Sequence, residues 1–321
     1  MGLNDATRAP VGAPPEPFAP DLSVRIGPLT LANPVAVASG TFGYGEEYAA
    51  LLDLDALGAV YTKAVTVEPR AGNPAPRLAE TPCGMLNSIG LANPGLVAFI
   101  RDKLPALRAR RFRTVVNVAG AALDDYVRVV EEIEAAGGVD AYELNVSCPN
   151  VKSGGMAFGT DPALVALVTE AVRRATKRAL VVKLSPNVTD IRETARAAEA
   201  SGADAVSAIN TLVGMAVDVK TRRPRLAMKT GGLSGPALRP VGVAAVYRIS
   251  RAVKIPVIGL GGIATADDAL EYLLAGADAV QVGTATFADP GAALRVLEGI
   301  EAWMRQNRVA RVADIKGLLI E

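Results

Sequence analysis

The sequence predicts an α/β fold, a (β/α)8 TIM barrel, and three observations favour it. Apolar runs alternate with amphipathic helical patterns along most of the 321-residue chain. A helix end, a glycine and a buried strand recur in Ala135–Ser147, Ala200–Thr211 and Leu274–Thr284. Half of the residues are hydrophobic but only 4% are aromatic, which is typical of an aliphatic core around buried parallel strands. A doubly wound open sheet is the main competing fold.

The elements follow in order along the chain. Residues 1–20 are rich in alanine and proline and predict a disordered tail, so residues 21–321 are expected to form one barrel domain. An N-terminal β-hairpin is predicted at Leu22–Leu31. The eight barrel strands are predicted within Val35–Ser39, Leu54–Lys63, Thr114–Val118, Ala135–Ser147, Leu180–Leu184, Ala200–Thr211, Ile255–Leu260 and Leu274–Thr284.

Helices and loops fill the intervals between these strands. Helices are predicted at Asp124–Ala136, Pro162–Lys177, Asp190–Ala200 and Ala266–Ala275. The segments Ala64–Pro94 and Leu212–Gly232 each follow a strand end and are predicted to be long loops. In a barrel these loops lie over the C-terminal face, where active sites are found.

Composition excludes several classes of function. The 34 basic and 33 acidic residues nearly cancel, so we expect neither nucleic acid nor a membrane surface as a partner. The chain has no histidine and two cysteines, Cys83 and Cys148, which excludes a structural zinc site, a Ser-His-Asp triad and a four-thiolate iron–sulfur cluster. No metal site is expected. The cysteine usage favours a reducing cytoplasm.

Polar residues cluster at the ends of the predicted strands. They are Ser39, Lys63, Asn117, Asn145, Ser147, Cys148, Lys183, Asn210 and Thr211. Any one of them could instead cap a helix or extend a lysine to solvent. Their recurrence at almost every strand end favours a functional site on one face of the barrel.

Two small-residue stretches after the last two strands predict a phosphate site. These are Gly259–Ala264 and Val282–Phe287, each of which leads toward a helix. The first also matches the G-x-G-x-x-A dinucleotide pattern, which requires an acidic residue at the end of the next strand. That strand ends in Gln281, Gly283 and Thr284, so a barrel phosphate site is the better interpretation.

Two lysines and one cysteine carry the chemical interpretation. Lys183 lies in an otherwise apolar strand, so it either pairs with an anion or points into a ligand cavity. Lys63 is a second cation that suits a substrate carboxylate. Cys148 could be a buried structural thiol, but Pro149 and the flexible Gly154–Gly155 that follow favour a catalytic base. With a reference pKa of about 8.5, such a base predicts activity that rises toward alkaline pH.

Several longer motifs resemble a known family. They are Ala38–Gly45, Glu80–Gly95, Asn117–Gly120, Glu143–Gly155, Val182–Asp190, Ala208–Thr211, Gly231–Pro240, Gly259–Ile263 and Val282–Thr284. Together they resemble the class 1 dihydroorotate dehydrogenases, which make orotate in pyrimidine (UMP) biosynthesis. The resemblance runs from about residue 22 to the last residue, and it implies an FMN-binding barrel with dihydroorotate stacked on the flavin.

The resemblance implies a role for each matching residue. Cys148 would remove the C5 proton of dihydroorotate while the C6 hydride passes to FMN. The residues implied in substrate binding are Lys63, Asn87, Ser88, Ile89, Gly90, Leu91, Asn145, Asn150, Asn210 and Thr211. Those implied in contacts with the flavin are Ser39, Lys63, Ala64, Asn117, Asn145, Lys183 and Ile209, and those at its phosphate are Gly235, Gly261, Gly262, Gly283 and Thr284.

The motifs GMLNSIGL and SGTFGYG resemble the NAD-linked class 1B subtype. That subtype implies a homodimer core joined in a heterotetramer to a second subunit, which carries FAD and a [2Fe-2S] cluster. The alternative is the fumarate-dependent class 1A homodimer. A related flavin enzyme acting on pyrimidines or tRNA uridines, and a non-catalytic barrel that binds a phosphorylated ligand, are weaker alternatives. Ala64 and Ala92 depart from residues common in the family.

Overall fold

Eight parallel strands close into a barrel in the computed structural model, which describes residues 18–146 and 158–320. The strands are β1 (Val24–Ile26), β2 (Leu29–Leu31), β3 (Val35–Val37), β4 (Ala59–Tyr61), β5 (Leu78–Thr81), β6 (Gly84–Asn87), β7 (Arg113–Val118), β8 (Ala141–Asn145), β9 (Ala179–Lys183), β10 (Ala205–Ala208), β11 (Leu212–Met215), β12 (Val217–Asp218), β13 (Arg223–Pro224), β14 (Thr230–Ser234), β15 (Val257–Leu260) and β16 (Ala279–Val282). The barrel order is β10-β15-β16-β3-β4-β7-β8-β9. The barrel prediction is confirmed, and the open sheet is excluded.

Helices surround the barrel. They are α1 (Leu96–Ala98), α2 (Leu104–Arg108), α3 (Leu123–Ala136), α4 (Pro162–Ala175), α5 (Ile191–Ala200), α6 (Arg239–Ser250), α7 (Ala266–Ala275), α8 (Ala285–Ala288) and α9 (Ala292–Asn307), with a π-helical turn at Phe99–Lys103 between α1 and α2. Short 3₁₀ turns lie at Glu46–Tyr48, Leu54–Ala56, Phe158–Thr160, Pro236–Leu238 and Val312–Gly317. Among the residues described, no helix is both long and apolar enough to cross a membrane.

Side-chain caps fix where the helices begin. The Asp190 carboxylate accepts a hydrogen bond from the Arg192 backbone N–H at 3.0 Å at the start of α5. At the start of α7, the Thr265 hydroxyl accepts one from the Asp268 N–H at 3.3 Å. These bonds satisfy N–H groups that lack an intrahelical partner. Each helix therefore starts just after the loop that leaves the C-terminal end of its strand.

The hydrophobic core lies between the strands and the helices. Helix α3, for example, buries Tyr126, Val129, Val130 and Ile133 against the barrel. Their spacing of three and four residues places them on one face of the helix. This aliphatic layer leaves the interior of the barrel free to carry polar side chains.

The hairpin β1–β2 covers the N-terminal end of the barrel. The Arg113 Nε donates to the Thr30 carbonyl at 3.3 Å, and Arg113 is the first residue of β7. Gly27, at φ 58°, lies against Asp204, which directly precedes β10. The predicted hairpin is therefore present, and it leaves the C-terminal end of the barrel for the site.

The two predicted long loops contain short strands that form a second sheet, which the sequence did not predict. Ala64–Pro94 contributes β5 and β6, Leu212–Gly232 contributes β11 and the start of β14, and the four strands pair in the order β11-β14-β6-β5. Strands β12 and β13 form a separate antiparallel pair. The strands are two to five residues long, and the pairing of β6 with β14 joins residues that are far apart in the chain, so periodicity along the chain does not reveal them. This sheet lies at the C-terminal face, as predicted.

Candidate active site

Lys183 lies at the centre of a group of polar side chains at the C-terminal end of the barrel. It is the last residue of β9, where Asn145 of β8 and Ser207 of β10 are both its register partners. Its ammonium donates to the Ser39 hydroxyl at 3.4 Å and is only 6% exposed. The Asn145 Nδ2 donates to the Asn117 Oδ1 at 3.5 Å. The structure thus brings together four residues that the sequence assigned to the cofactor.

A buried carboxylate lies next to this group. The side chain of Glu143, in β8, is fully buried, and its carboxylate accepts hydrogen bonds from the Asn117 Nδ2 at 2.7 Å and the Ser207 hydroxyl at 2.7 Å. The Gln281 Nε2 donates to it at 3.2 Å, and the Lys183 Nζ lies 4.0 Å away. No role was predicted for Glu143, Ser207 or Gln281. An acidic residue two positions before Asn145 in an apolar strand was the available signal, because alternate residues share one face of a strand.

Tyr61 lies in the same buried region of the barrel. Its side chain is 1% exposed. Burial raises the pKa of the Tyr61 hydroxyl far above its usual range, and the negative charge of Glu143 adds to the increase. Tyr61 therefore stays neutral during any chemistry near neutral pH.

Lys63 lies two residues beyond the end of β4, and its surroundings differ from those of Lys183. It is half-buried, and its backbone N–H donates to the Gly43 carbonyl at 2.8 Å. Burial lowers the pKa of Lys63 below its ordinary value of 10.5, the Glu47 carboxylate opposes this shift, and Arg77 adds to it. A lysine in this position can bind an anion and can also lose its proton more easily than a surface lysine.

Three of the residues implied in substrate binding, Asn87, Asn210 and Thr211, lie near one another at the sheet above the barrel. Asn87 Nδ2 donates to the Gly232 carbonyl at 3.3 Å, and a side chain at Gly232 would collide with the Thr211 hydroxyl. Asn210 accepts a hydrogen bond from the Thr211 N–H at 2.8 Å. The pairing of β6 with β14 therefore brings Asn87 beside Asn210 and Thr211, which lie more than a hundred residues away in the chain.

The segment Ser88–Leu91 follows β6 in a fixed backbone conformation. The Ser88 N–H donates to the Arg77 carbonyl at 2.8 Å, and the Ile89 carbonyl accepts from the Asn73 N–H at 3.0 Å. Gly90 and Leu91 have φ angles of 73° and 56°. Leu91 holds this left-handed conformation without being a glycine, which is uncommon. This segment is half-buried at the edge of the substrate-side cluster.

Glycines at the end of β15 let neighbouring segments of the backbone pack closely together. Gly262 has a φ of 74°, and an added Cβ would lie 2.8 Å from the Gly235 carbonyl oxygen and from the Arg239 backbone nitrogen. Gly261 lies beside Ile209, whose N–H donates to the Leu260 carbonyl at 2.9 Å. The predicted phosphate-site residues Gly235, Gly261 and Gly262 are therefore adjacent in space.

The remaining predicted residues fall at the mouth of the barrel or outside the described part of the chain. Gly283 and Thr284 follow β16, with Gly283 packed close to Ala38 at the end of β3. Ala64 is buried just after Lys63. Cys148 and Asn150 lie outside the described residues, so their assigned roles stay predictions. The described residues hold no cluster of three or more potential metal ligands.

Comparison with known proteins bears on the whole chain. Residues 21–304 match the family described as dihydroorotate dehydrogenase. A protein of Trichlorobacter lovleyi named dihydroorotate dehydrogenase B (NAD(+)), catalytic subunit, is 54% identical over 300 residues, 94% of this chain and 99% of that protein. A Bacteroides fragilis protein of the same name is 51% identical over 299 residues, 93% of this chain and 99% of its own length.

A solved structure agrees with the fold. It is the dihydroorotate dehydrogenase of Eimeria tenella in complex with ferulenol, with a TM-score of 0.78 and 25% sequence identity. The similarity covers 96% of this chain and 91% of that one. The overall fold is thus shared along nearly the whole length of both proteins.

Proposed function

Because the chain belongs to the dihydroorotate dehydrogenase family, we propose that it is the catalytic subunit of an NAD-linked enzyme that oxidises dihydroorotate to orotate in pyrimidine biosynthesis. The observation that carries the subtype is the identity of 51–54% to relatives with that name, over at least 93% of this chain. The polar cluster at the C-terminal end of the barrel supports this proposal.

The family depends on FMN, and the residues at the mouth of the barrel fit that group. A buried lysine and two amides suit the polar edge of the flavin ring. The closely packed backbone at Gly235, Gly261 and Gly262 is of the small-residue kind that binds a phosphate through N–H groups. We assign the ring to Ser39, Lys63, Ala64, Asn117, Asn145, Lys183 and Ile209, and the phosphate to Gly235, Gly261, Gly262, Gly283 and Thr284. When bound, FMN supplies a hydride acceptor.

The substrate lies, in this proposal, between the flavin site and the appended sheet. Lys63 binds its carboxylate, and the amides of Asn87, Asn145, Asn150 and Asn210 bind the carbonyl and N–H edges of the ring. Cys148 takes the C5 proton, so that proton and hydride leave from neighbouring carbons. The backbone of Ser88–Leu91 and the hydroxyl of Thr211 complete the enclosure.

The electrons leave through a partner. The chain has two cysteines, too few for a four-thiolate cluster, so we place FAD and a [2Fe-2S] cluster on a second subunit. We propose a homodimer of this chain at the centre of a heterotetramer with that subunit. The same sparing use of cysteine supports a reducing cytoplasm as the compartment.

The test of this function uses the purified full chain. We expect a yellow protein with one FMN per chain, bleached by dihydroorotate in the absence of oxygen. Transfer of electrons to NAD+ should appear only after the FAD subunit is added. A colourless protein that FMN cannot reconstitute would contradict the proposal, and turnover with fumarate by this chain alone would reject the NAD-linked subtype.

A further inference from the structure

The Glu143 carboxylate lies in the centre of the barrel, where it joins opposite walls. Its strand β8 and the strand of Gln281, β16, have three strands between them on either side of the ring. The 3.2 Å hydrogen bond from Gln281 to Glu143 therefore crosses the barrel axis. Glu143, Asn117, Ser207 and Gln281 are all 0% exposed. A carboxylate so far from water requires compensating interactions.

The Glu143 carboxylate is the acceptor in each of its hydrogen bonds. The Asn117 amide, the Ser207 hydroxyl and the Gln281 amide all donate to it, which matches the acceptor-only character of an ionised glutamate. The first of these bonds has a further effect. Because the Nδ2 of Asn117 faces Glu143, its Oδ1 faces the Asn145 amide at 3.5 Å. Glu143 thereby determines which end of the Asn117 side chain faces the cofactor site.

The charge of Glu143 also acts on Lys183. The Lys183 Nζ lies 4.0 Å from the Glu143 Oε2, and its side chain is 6% exposed. At this distance, in a region shielded from water, the two charges interact strongly. The lysine therefore presents to the site a positive charge that the carboxylate behind it partly balances.

From these contacts we propose that Glu143 is a positioning residue that holds Asn117 and Lys183 and, through its negative charge, lowers the reduction potential of the flavin. The proposal rests on the proposed function, because it requires FMN against Lys183. A cation at that position favours the reduced, negatively charged flavin, and the anion behind it opposes this effect. This effect on the flavin ring does not require Lys183 to contact the flavin phosphate or the substrate.

The test is the midpoint potential of bound FMN in Glu143→Gln. This change keeps the shape of the side chain and removes its charge. We expect the ratio of reduced to oxidised flavin at a fixed potential to rise at least tenfold, which for a two-electron couple is about 30 mV. Ser207→Ala is the matched control: it removes one donor to the same carboxylate but keeps the charge, so the ratio should stay within threefold of wild type.

A second pair of variants tests the proposal if Glu143→Gln fails to fold. Lys183→Met leaves the carboxylate without its cation, and the flavin ratio should fall. Adding Glu143→Gln to this variant removes the remaining charge, so the ratio of reduced to oxidised flavin should rise again at least tenfold. The double variant contains no buried unpaired ion. The proposal is overturned if Glu143→Gln folds without raising the ratio, or if it fails to fold and the double variant shows no recovery. It is also overturned if Ser207→Ala raises the ratio equally.

The function and this inference fail in different ways. A wild-type protein that binds no FMN overturns both. A wild-type protein that is reduced by dihydroorotate, with an unchanged potential in Glu143→Gln, overturns only the role of Glu143. A midpoint potential reports the field at the flavin, so a loss of stability alone would leave it unchanged.

Discussion

Lys63 is the residue whose environment predicts a dependence on pH. Burial lowers its pKa, so it loses its proton at a lower pH than an ordinary lysine, near 10.5, would. In the proposed function, the substrate carboxylate binds the protonated form of Lys63. We therefore expect KM for dihydroorotate to rise as the pH increases through this lowered pKa, measured from initial rates across alkaline pH. Lys63→Gln should abolish the rise and give a uniformly high KM; a wild-type KM that stays flat up to the ordinary lysine range would contradict this role.

Cys148 carries the second prediction at the scale of single residues. Cys148→Ser should retain FMN but slow flavin reduction by dihydroorotate about 100- to 10,000-fold, the range that a general base contributes. The reason is that a serine hydroxyl holds its proton far more tightly than a thiol does. Stopped-flow absorbance measures the rate directly, and Cys83→Ser is the matched control, since Cys83 is exposed. Equal rates in the wild type and Cys148→Ser would reject the cysteine as the base.

Single residues differed in how far the sequence could predict them. Lys183 stood out because a charge in an apolar strand has few structural explanations. Glu143 did not, although it occupies the same barrel interior, because the need for it appears only when Asn117, Ser207 and Gln281 from three other strands converge on it. The signal from one strand cannot show how many donors will meet at the axis.

At the scale of elements, the barrel strands were predictable and the appended sheet was not. A buried parallel strand is a continuous apolar run, and the glycine at each preceding helix end marks its start, so β8, β10 and β16 could be placed from local pattern. Strands β6 and β14 carry several glycines and polar residues, and Asn87 pairs with Gly232 across the chain. Their stability comes from each other, which local pattern does not contain.

The close packing around Gly262 provides a prediction at the scale of elements. In Gly262→Ala, the new Cβ would lie 2.8 Å from the Gly235 carbonyl and from the Arg239 nitrogen, so the backbone must shift where the phosphate binds. We expect at least a tenfold weaker FMN affinity, measured by fluorescence titration of the apoprotein. Gly137→Ala is the control, because Gly137 has a nearly equal φ of 73° but open space around it. A similar loss of affinity in both variants would show that backbone strain alone is responsible.

At the scale of the whole molecule, an exposed apolar stripe is the feature that bears on assembly. Val213, Met215, Val217 and Val219 are 64%, 52%, 47% and 83% exposed at alternate positions of β11, β12 and the adjoining turn. Alternation places side chains on one face of a strand. A run of exposed apolar residues of this kind is typical of a contact with another protein chain, which supports the proposed assembly.

Substitution within the stripe tests this contribution. Val219→Asp should lower the molar mass of the purified chain toward that of a monomer, measured by light scattering after gel filtration, because a carboxylate is costly to bury in a contact. Leu167→Asp, at an exposed apolar position on α4, should leave the mass unchanged. A mass that Val219→Asp does not change would place the contact between copies elsewhere on the surface.

The closed barrel was expected from the eight predicted strands. The N-terminal hairpin was expected from the segment that precedes them. The extents of the tail and of the single domain remain predictions, since residues 1–17 lie outside the described part of the chain. Family membership adds information that periodicity does not contain, because the family match extends over residues 21–304. Contacts between segments that lie far apart in the chain could not be predicted from the sequence.

The hydrogen bond between Gln281 and Glu143 across the barrel axis has a consequence for how substrate, product and proton enter and leave the site. Glu143 and Gln281 fill the axis and the hairpin covers the N-terminal end, so a ligand at the C-terminal face reaches solvent through that face. In the proposed function, the proton taken from the substrate, the product and the next substrate molecule share this one route. An orotate molecule that stays bound there would then delay both the return of the base to its working state and the entry of a new dihydroorotate.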